Sequence, residues 1–281
     1  MPGSQRIFRI TRRESAVVPY TGAVPKERKL RHAEATVLTM TNMKYACETE
    51  TVTGLAYEAL DTDTCTVTGF SNAAAVPVCL TIPDCGPDGR RVVAIAADAF
   101  AGCDSLRVVT IPDSVESIGR RAFSSCSSLV EIRLGAASRL AVIGDRAFMG
   151  CDRLSFLRFG QLSHLCTVGK RAFAYCTHLR SAVLPDCLSA LPDGLFEGCR
   201  RLVQVRLPGH LARIGGSAFA ACVSLETICL PDSLNLIEDA AFAWCGSLNR
   251  VRLPASTCLI SVSAFRECPA LPSLPELLGV G

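Results

Sequence analysis

The sequence predicts a β-rich solenoid with a parallel β-sheet on its concave face, short strands and helical turns elsewhere, and a cap at each end. Three observations predict it. The unit Ala-Phe-x-x-Cys-x-x-Leu recurs at steps of 23 or 25 residues. Between its copies the apolar residues alternate as strand residues do. Hydrophobic residues make up 49% of the 281-residue chain, yet its longest weakly charged run, 67–83, is short and broken by Asn72, Pro77 and Pro83. A membrane-spanning helix is therefore excluded from that run, and a continuous stacked core accounts for the apolar content.

The repeat fixes the elements in order. Phe recurs at 100, 123, 148, 173, 196, 219, 242 and 265. Three residues later comes Cys, at 103, 126, 151, 176, 199, 222, 245 and 268. Leu follows three later again, from Leu106 to Leu271. Ala precedes Phe in seven units, and Leu195 takes its place in the other. From each Leu the chain reads Leu-x-x-Ile-x-Leu-Pro, as in Leu106, Val109, Ile111 and Pro112. The positions three and five after the Leu lie on one strand face, and Pro112, Pro185, Pro208, Pro231 and Pro254 end the strand. A second segment follows, as in Val115 to Ile118, often with Gly after it. The Ala-Phe pair then has the spacing of a single helical turn.

One unit of 23–25 residues has apolar edges that it cannot bury alone, so the units must stack. Stacking sets like over like: the eight Phe (Phe100, Phe123, Phe148, Phe173, Phe196, Phe219, Phe242, Phe265) form one column. The eight Cys (Cys103, Cys126, Cys151, Cys176, Cys199, Cys222, Cys245, Cys268) form another. Eight strands at the usual spacing give a sheet on the order of 40 Å long. Both ends leave the pattern, as terminal units must. Residues 46–91 read as an N-terminal cap with a β-hairpin, its strands at 64–70 and 78–83. Residues 92–271 are the repeats, and 272–281 form a C-terminal cap whose prolines stop the sheet.

The first 45 residues are a basic arm, expected to be flexible. Residues 1–32 hold eight Lys/Arg and two Asp/Glu, while the whole chain is only +3. Such an arm is solvated and expected to be dispensable for folding. No aromatic-rich nucleic-acid module follows it, so a nucleic-acid partner is not expected. No segment combines a basic stretch with an uninterrupted apolar one, so a signal peptide is not evident; Ala46-Cys47 resembles a processing site only faintly.

Sixteen Cys invite a metal or disulfide reading. A column of Cys one per unit lies in a row, whereas zinc needs four ligands converging on a point. Small buried thiols are the simpler reading. Neighbours in a ladder point in parallel, which disfavours rung-to-rung disulfides; Cys79 and Cys85, flanking one insertion, are the best candidate pair. Of four His, His178 and His164 lie two residues from Cys176 and Cys166, but no third orienting group recurs with them. Phosphate-loop, nucleophile-elbow and dinucleotide fingerprints are absent from the sequence. No enzyme activity, cofactor or metal is expected.

The segment 111–129, Ile-Pro-x-x-Val-x-x-Ile-Gly-x-x-Ala-Phe-x-x-Cys-x-x-Leu, resembles the repeat of the BspA-like, or treponemal-type, leucine-rich repeat family. The likeness runs over residues 64–274 and includes the lead-in Cys65-Thr66-Val67-Thr68-Gly69-Phe70. It implies a leucine-rich repeat solenoid without catalytic residues. It also implies a binding protein of the cell envelope or surface, linked to attachment to host proteins or other cells. A periplasmic or intracellular interaction scaffold is the alternative, favoured by the many free thiols.

The strand register says where a partner would dock. In Leu-x-x-Ile-x-Leu the residues two and four after the first Leu leave the sheet on the solvent side. One outward column reads Val108, Glu131, Phe156, Ser181, Gln204, Thr227, Arg250; the other reads Thr110, Arg133, Arg158, Val183, Arg206, Cys229, Arg252. Arg133, Phe156, Arg158, Arg206, Arg250 and Arg252 are the candidate ligand residues, because Arg recognises carboxylates and an exposed aromatic anchors an interface. An ordinary solvated strand face is the competing reading. The two 25-residue units place their extra residues at 135–139 and 160–164, beside Arg133, Phe156 and Arg158. A protein partner, with acidic groups to suit the arginines, and a monomeric chain are expected.

Overall fold

The computed structural model describes residues 7–9, 54–71, 76–159, 164–256 and 258–272. The rest of the N-terminal arm, Cys47, the centre of the 160–164 connection and nearly all of the C-terminal cap lie outside the described residues. The described residues fall in one compact unit: a solenoid of stacked turns, built from two parallel strand ladders and a column of tight turns.

The first ladder holds the strands that follow each Leu. Cys79–Thr81, Val108–Ile111 and Glu131–Leu134 pair in parallel. Phe156–Arg158, Ser181–Val183 and Gln204–Arg206 form the next parallel sheet, and Thr227–Cys229 pairs with Arg250–Arg252. The registers set like on like, with Thr110 opposite Arg133 and Val183 opposite Arg206. The second ladder runs Thr64–Phe70, Arg91–Ile95, Ser117–Ile118, Val142–Ile143, Thr167–Val168, and then Ala190–Leu191, Arg213–Ile214, Leu236–Ile237, Leu259–Ser261. Gly after the second strand is a packing requirement. A Cβ on Gly169 would lie 2.3 Å from the Asp145 nitrogen of the preceding unit, so the chain turns there at closer quarters than any side chain allows.

The N-terminal cap contains a hairpin, but its strands are Leu55–Ala59 and Thr64–Phe70, antiparallel. The Asp61 carboxylate makes the turn by accepting the N–H groups of Asp63 at 2.8 Å and Thr64 at 2.7 Å. The segment expected as the second hairpin strand, Cys79–Thr81, instead opens the first ladder.

The expected helical turn takes a different form. The described residues contain no α-helix. Around each Phe the chain makes tight turns, and from Phe100 to Phe242 the residues two before and two after it adopt left-handed backbone, as at Arg121 (φ 55°) and Ser125 (φ 60°). Such residues cost about 1–2 kcal/mol each, so something must hold them. In the turns that stack, the N–H groups of Arg121, Phe123 and Ser125 donate to the carbonyls of Asp145, Ala147 and Met149 in the next unit, at 2.7–2.9 Å. The same three bonds recur from the Arg146 turn to the Arg171 turn. Gly occupies the position two after Phe in three units (Gly102, Gly150, Gly198), where it adopts that conformation freely.

Inside, the predicted columns are present. Successive Phe rings from Phe100 to Phe265 lie 5.1–6.1 Å apart between centroids. Phe70 of the cap closes the first ring edge-on at 5.1 Å. Seven of the rings are fully buried and Phe265, at the C-terminal end, is half-buried. The Cys column has a role that periodicity could not show. From Cys126 to Cys268, each thiol donates to the carbonyl of the Phe in the preceding unit at 3.0–3.3 Å. Cys suits the position because it is small, apolar enough to bury, and carries one donor.

Two further features differ from expectation. Cys79 is disulfide-bonded while Cys85 is free and exposed, so these two are not partners; their neighbourhood in sequence does not become a pairing in space. Three residues of the basic arm, Ile7–Arg9, form a strand antiparallel to Leu259–Ser261, the last strand of the second ladder. This backbone pairing, which the basic composition of its surroundings obscured, gives the arm a place in the fold.

Candidate interaction surface

The outward columns of the first ladder stand largely where the register puts them. Leu157, Ala182 and Ile228 point into the core, buried, and Val205 and Val251 are half-buried. Their neighbours Phe156, Arg158, Gln204, Arg206, Thr227, Cys229, Arg250 and Arg252 are exposed. Val108 is the exception. It is 2% exposed, in register with the disulfide-bonded Cys79 of the cap strand, so the outward column begins one unit later than the sequence pattern implies.

Arg158, Val183 and Arg206 stand in register on three adjacent strands, and Cys229 and Arg252 on the next two. Arg158, Arg206 and Arg252 thus occur on alternate strands, their backbone positions about 10 Å apart at the usual strand spacing. Arg158, Arg206 and Arg250 have no ion-pair partner among the described residues. Arg252 meets Asp232 only at 3.9 Å. Arg133 is different: it is half-buried and held by Glu131 at 3.1 Å. Phe156 lies 36% exposed, in register with Ser181. The structure therefore groups Phe156, Arg158 and Arg206 on one sheet, with Arg133 on the sheet before it and Arg250 and Arg252 on the sheet after.

The turn side carries the other basic cluster, Arg120, Arg121, Arg146, Lys170 and Arg171. Much of its charge is already spent. Arg121 pairs with Asp98 at 3.2 Å, Lys170 with Asp193 at 2.9 Å, and Arg171 with Glu197 at 2.9 Å. Lys170 pulls the Asp193 carboxyl below the usual carboxylate range by hydrogen bond and charge, with Arg213 adding to the effect. Arg213 in turn bridges Asp193 at 3.1 Å and Glu238 at 2.8 Å. An open groove runs along this side, lined by Arg146, Lys170, Asp193 and Glu238. In this groove Lys170, Asp193 and Glu238 pair with one another or with Arg213.

The nucleophile candidates do not converge. Cys176 is fully buried, donates to the Phe148 carbonyl at 3.3 Å, and is raised by that burial; His178 is exposed and its Nδ1 meets the Asp152 carbonyl at 2.9 Å. Among the described residues no group of three or more His, Cys, Asp or Glu could hold a metal ion. No helix among them is long and apolar enough to cross a membrane.

The repeat geometry finds its counterpart in known proteins. The model of the BspA type leucine rich repeat region matches six copies, over residues 93–222 and 166–275. The chain belongs to the BspA-type leucine-rich repeat family. Among solved structures, this BspA-type chain is similar to the leucine rich repeat protein of T. pallidum, at 27% identity and a TM-score of 0.58, over 83% of this chain and 96% of that one. A leucine rich cell surface protein of Faecalibacterium prausnitzii shares the fold at 20% identity and a TM-score of 0.55, over 81% and 82% of the two chains. No curated protein matches it in sequence. Members of this family are typically non-catalytic protein-interaction modules.

Proposed function

We propose that the chain is a non-catalytic binding module of the cell envelope or surface that captures a protein partner across the first-ladder sheet. The observation that carries this reading is the set of arginines without an ion pair among the described residues, Arg158, Arg206 and Arg250, beside the exposed Phe156. An unpaired guanidinium on a rigid strand keeps its charge available for a carboxylate, and a flanking aromatic supplies apolar contact at low entropic cost. On the turn side, by contrast, Arg121, Lys170 and Arg171 must first break their own ion pairs. The surface setting is supported by the F. prausnitzii relative, described as a cell surface protein. A periplasmic or intracellular scaffold would use the same face.

The test compares two charge reversals against a panel of acidic proteins at low and high salt. Arg158→Glu with Arg206→Glu alters the sheet without touching the core, because both side chains are exposed. Arg133 is left alone, since a glutamate there would face Glu131. The sheet pair should abolish salt-sensitive binding while thermal stability is unchanged. Arg121→Glu with Arg171→Glu is the counterpart on the turns. Loss of binding through the turn pair alone would overturn the assignment of the face.

A further inference from the structure

A second kind of chemistry sits where the long connection of the third unit rejoins the repeat. Cys166 and Cys187 lie on successive units, and both are free and exposed. The Cys187 thiol donates to the carbonyl of Leu165, the residue immediately before Cys166, at 2.8 Å. A sulfur that close to the peptide joining Leu165 to Cys166 is a near neighbour of the Cys166 thiol. This departs from the column thiols Cys126 to Cys268, which are buried and donate to Phe carbonyls. The pair stands off the column because Cys187 precedes the buried Leu188 while Cys166 follows the stacked Leu165. The Cys187 side chain reaches back a unit to the Leu165 carbonyl, and the two cysteines are offset along the repeat rather than in one column, so the parallel-ladder argument against rung-to-rung disulfides does not apply here.

We propose that Cys166 and Cys187 are a redox-active dithiol that closes to a disulfide under mild oxidation and staples the third unit to the fourth. With hydrogen peroxide as oxidant, the Cys166 thiolate attacks one peroxide oxygen. The O–O bond breaks, hydroxide leaves, and Cys166 becomes a sulfenic acid. The Cys187 thiol gives its proton to that hydroxide, and its sulfur attacks the Cys166 sulfur. The S–S bond forms, the S–O bond breaks, and the departing hydroxide takes up a proton to give water. Two thiols lose two electrons in all, and one peroxide becomes two waters, counting the proton first released by Cys166.

Cys166 is the attacking thiol and Cys187 the resolving one. Desolvation, and then the neighbouring Cys166 thiol, push the Cys187 thiol up to about 11, so it stays protonated and donates while its neighbour reacts. The two nearest column thiols, Cys176 and Cys199, are shut off. Burial raises Cys176 and Cys199 well above the ordinary range and shields both from solvent. Cys229 supplies an internal control: it is free and exposed, but its register partner is Arg252 rather than a thiol.

The experiment treats the folded, reduced full-length chain with substoichiometric peroxide, blocks the remaining thiols, and maps tryptic peptides. The expected product is a dithiothreitol-reversible link between peptides 159–170 and 181–200, within one chain. In Cys187→Ser, Cys166 should stop at the sulfenic acid and be trapped by dimedone; in Cys166→Ser, position 187 should stay unlabelled. Oxidation of Cys229 at the same rate as Cys166 would overturn the proposal. So would a disulfide linking Cys166 between two chains, or sulfinic acid at Cys166 without the crosslink in the unmutated chain. None of these readouts depends on which face binds the partner.

Discussion

Replacing Phe173 by Ala probes the central column at its most enclosed point. The ring is fully buried. It lies between Phe148 at 5.4 Å and Phe196 at 6.1 Å, with Phe159 at 5.7 Å on a third side. A buried Phe removed from water by about 150–250 Å² is worth roughly 4–6 kcal/mol at 25 cal/mol/Å², of which Ala retains only a small part. The stacked turns are locked by backbone bonds on both sides, so the walls cannot collapse inward and the loss should lie near about 3–5 kcal/mol. Phe265 provides the comparison. It is half-buried and stacks on Phe242 at 5.1 Å, at the end of the column, so Phe265→Ala should cost clearly less. Urea titration followed by circular dichroism and by the fluorescence of Trp244 reads both. In a solenoid with nearest-neighbour coupling, a central defect can also separate the two probes, because the flanking blocks unfold independently. A loss under about 1 kcal/mol for Phe173→Ala would refute the reasoning, since no buried ring leaves so little behind. Equal losses at positions 173 and 265 would refute it as well.

Three other outcomes follow from the same structure. Deleting residues 1–9 removes the strand paired with Leu259–Ser261 and should cost about 1–2 kcal/mol, a fall in thermal midpoint of about 2–4 °C per kcal/mol at this size; an unchanged midpoint would show that the pairing contributes nothing. Asp193 is depressed by Lys170 and Arg213, so its contribution is present above the ordinary aspartate value of about 4 and is lost as pH falls through the lower folded value. Asp193→Asn should therefore flatten the decline of stability below about pH 4, and parallel curves for the two proteins would exclude that linkage. Cys199→Ala deletes the donor to the Phe173 carbonyl and should cost about 1–3 kcal/mol, whereas Cys229→Ala, on the exposed sheet face, should change stability by less than about 0.5 kcal/mol; denaturant midpoints distinguish the two.

The ladders were legible because a column is the same observation made eight times. Inward Ile and Val, outward Arg and the Phe stack all follow from one register, and only Val108, beside the cap, falls out of it. The turn was misjudged for a physical reason. Ala-Phe-x-x-Cys spans one helical turn and equally well spans two tight turns with left-handed corners. The sequence did hold a discriminating signal, since Gly102, Gly150 and Gly198 share a position that no helix needs filled by Gly. The thiol-to-carbonyl bonds were not legible, because periodicity reports that a residue is buried and not what its donor meets. The strand at Ile7–Arg9 was hidden by composition: two apolar residues among arginines are enough for a backbone ladder, which uses no side chains to pair. At the candidate surface, the arginines were legible as a set, but their ion-pair status was not. Glu131 lies in the same strand as Arg133, and only the structure shows that it claims that guanidinium while Arg158 and Arg206 stay free of acids among the described residues.

The turn column also gives the molecule an electrical direction. From the Asp98 turn to the Ser217 turn, three N–H groups of each turn point toward the following unit, and the carbonyls that receive them point toward the preceding one. Ordinary strand ladders alternate and cancel; these bonds add, as peptide units do along a helix. The turn edge is therefore a polar rod with donors facing the C-terminal direction and acceptors facing the N-terminal one. Two such rods can continue each other only head to tail. Apposed end to end in opposite senses, they would set donor against donor or acceptor against acceptor. A stack of this design is thus protected against joining its own mirror-facing twin, and any lengthening of it, in evolution or by engineering, has to insert units in the same sense.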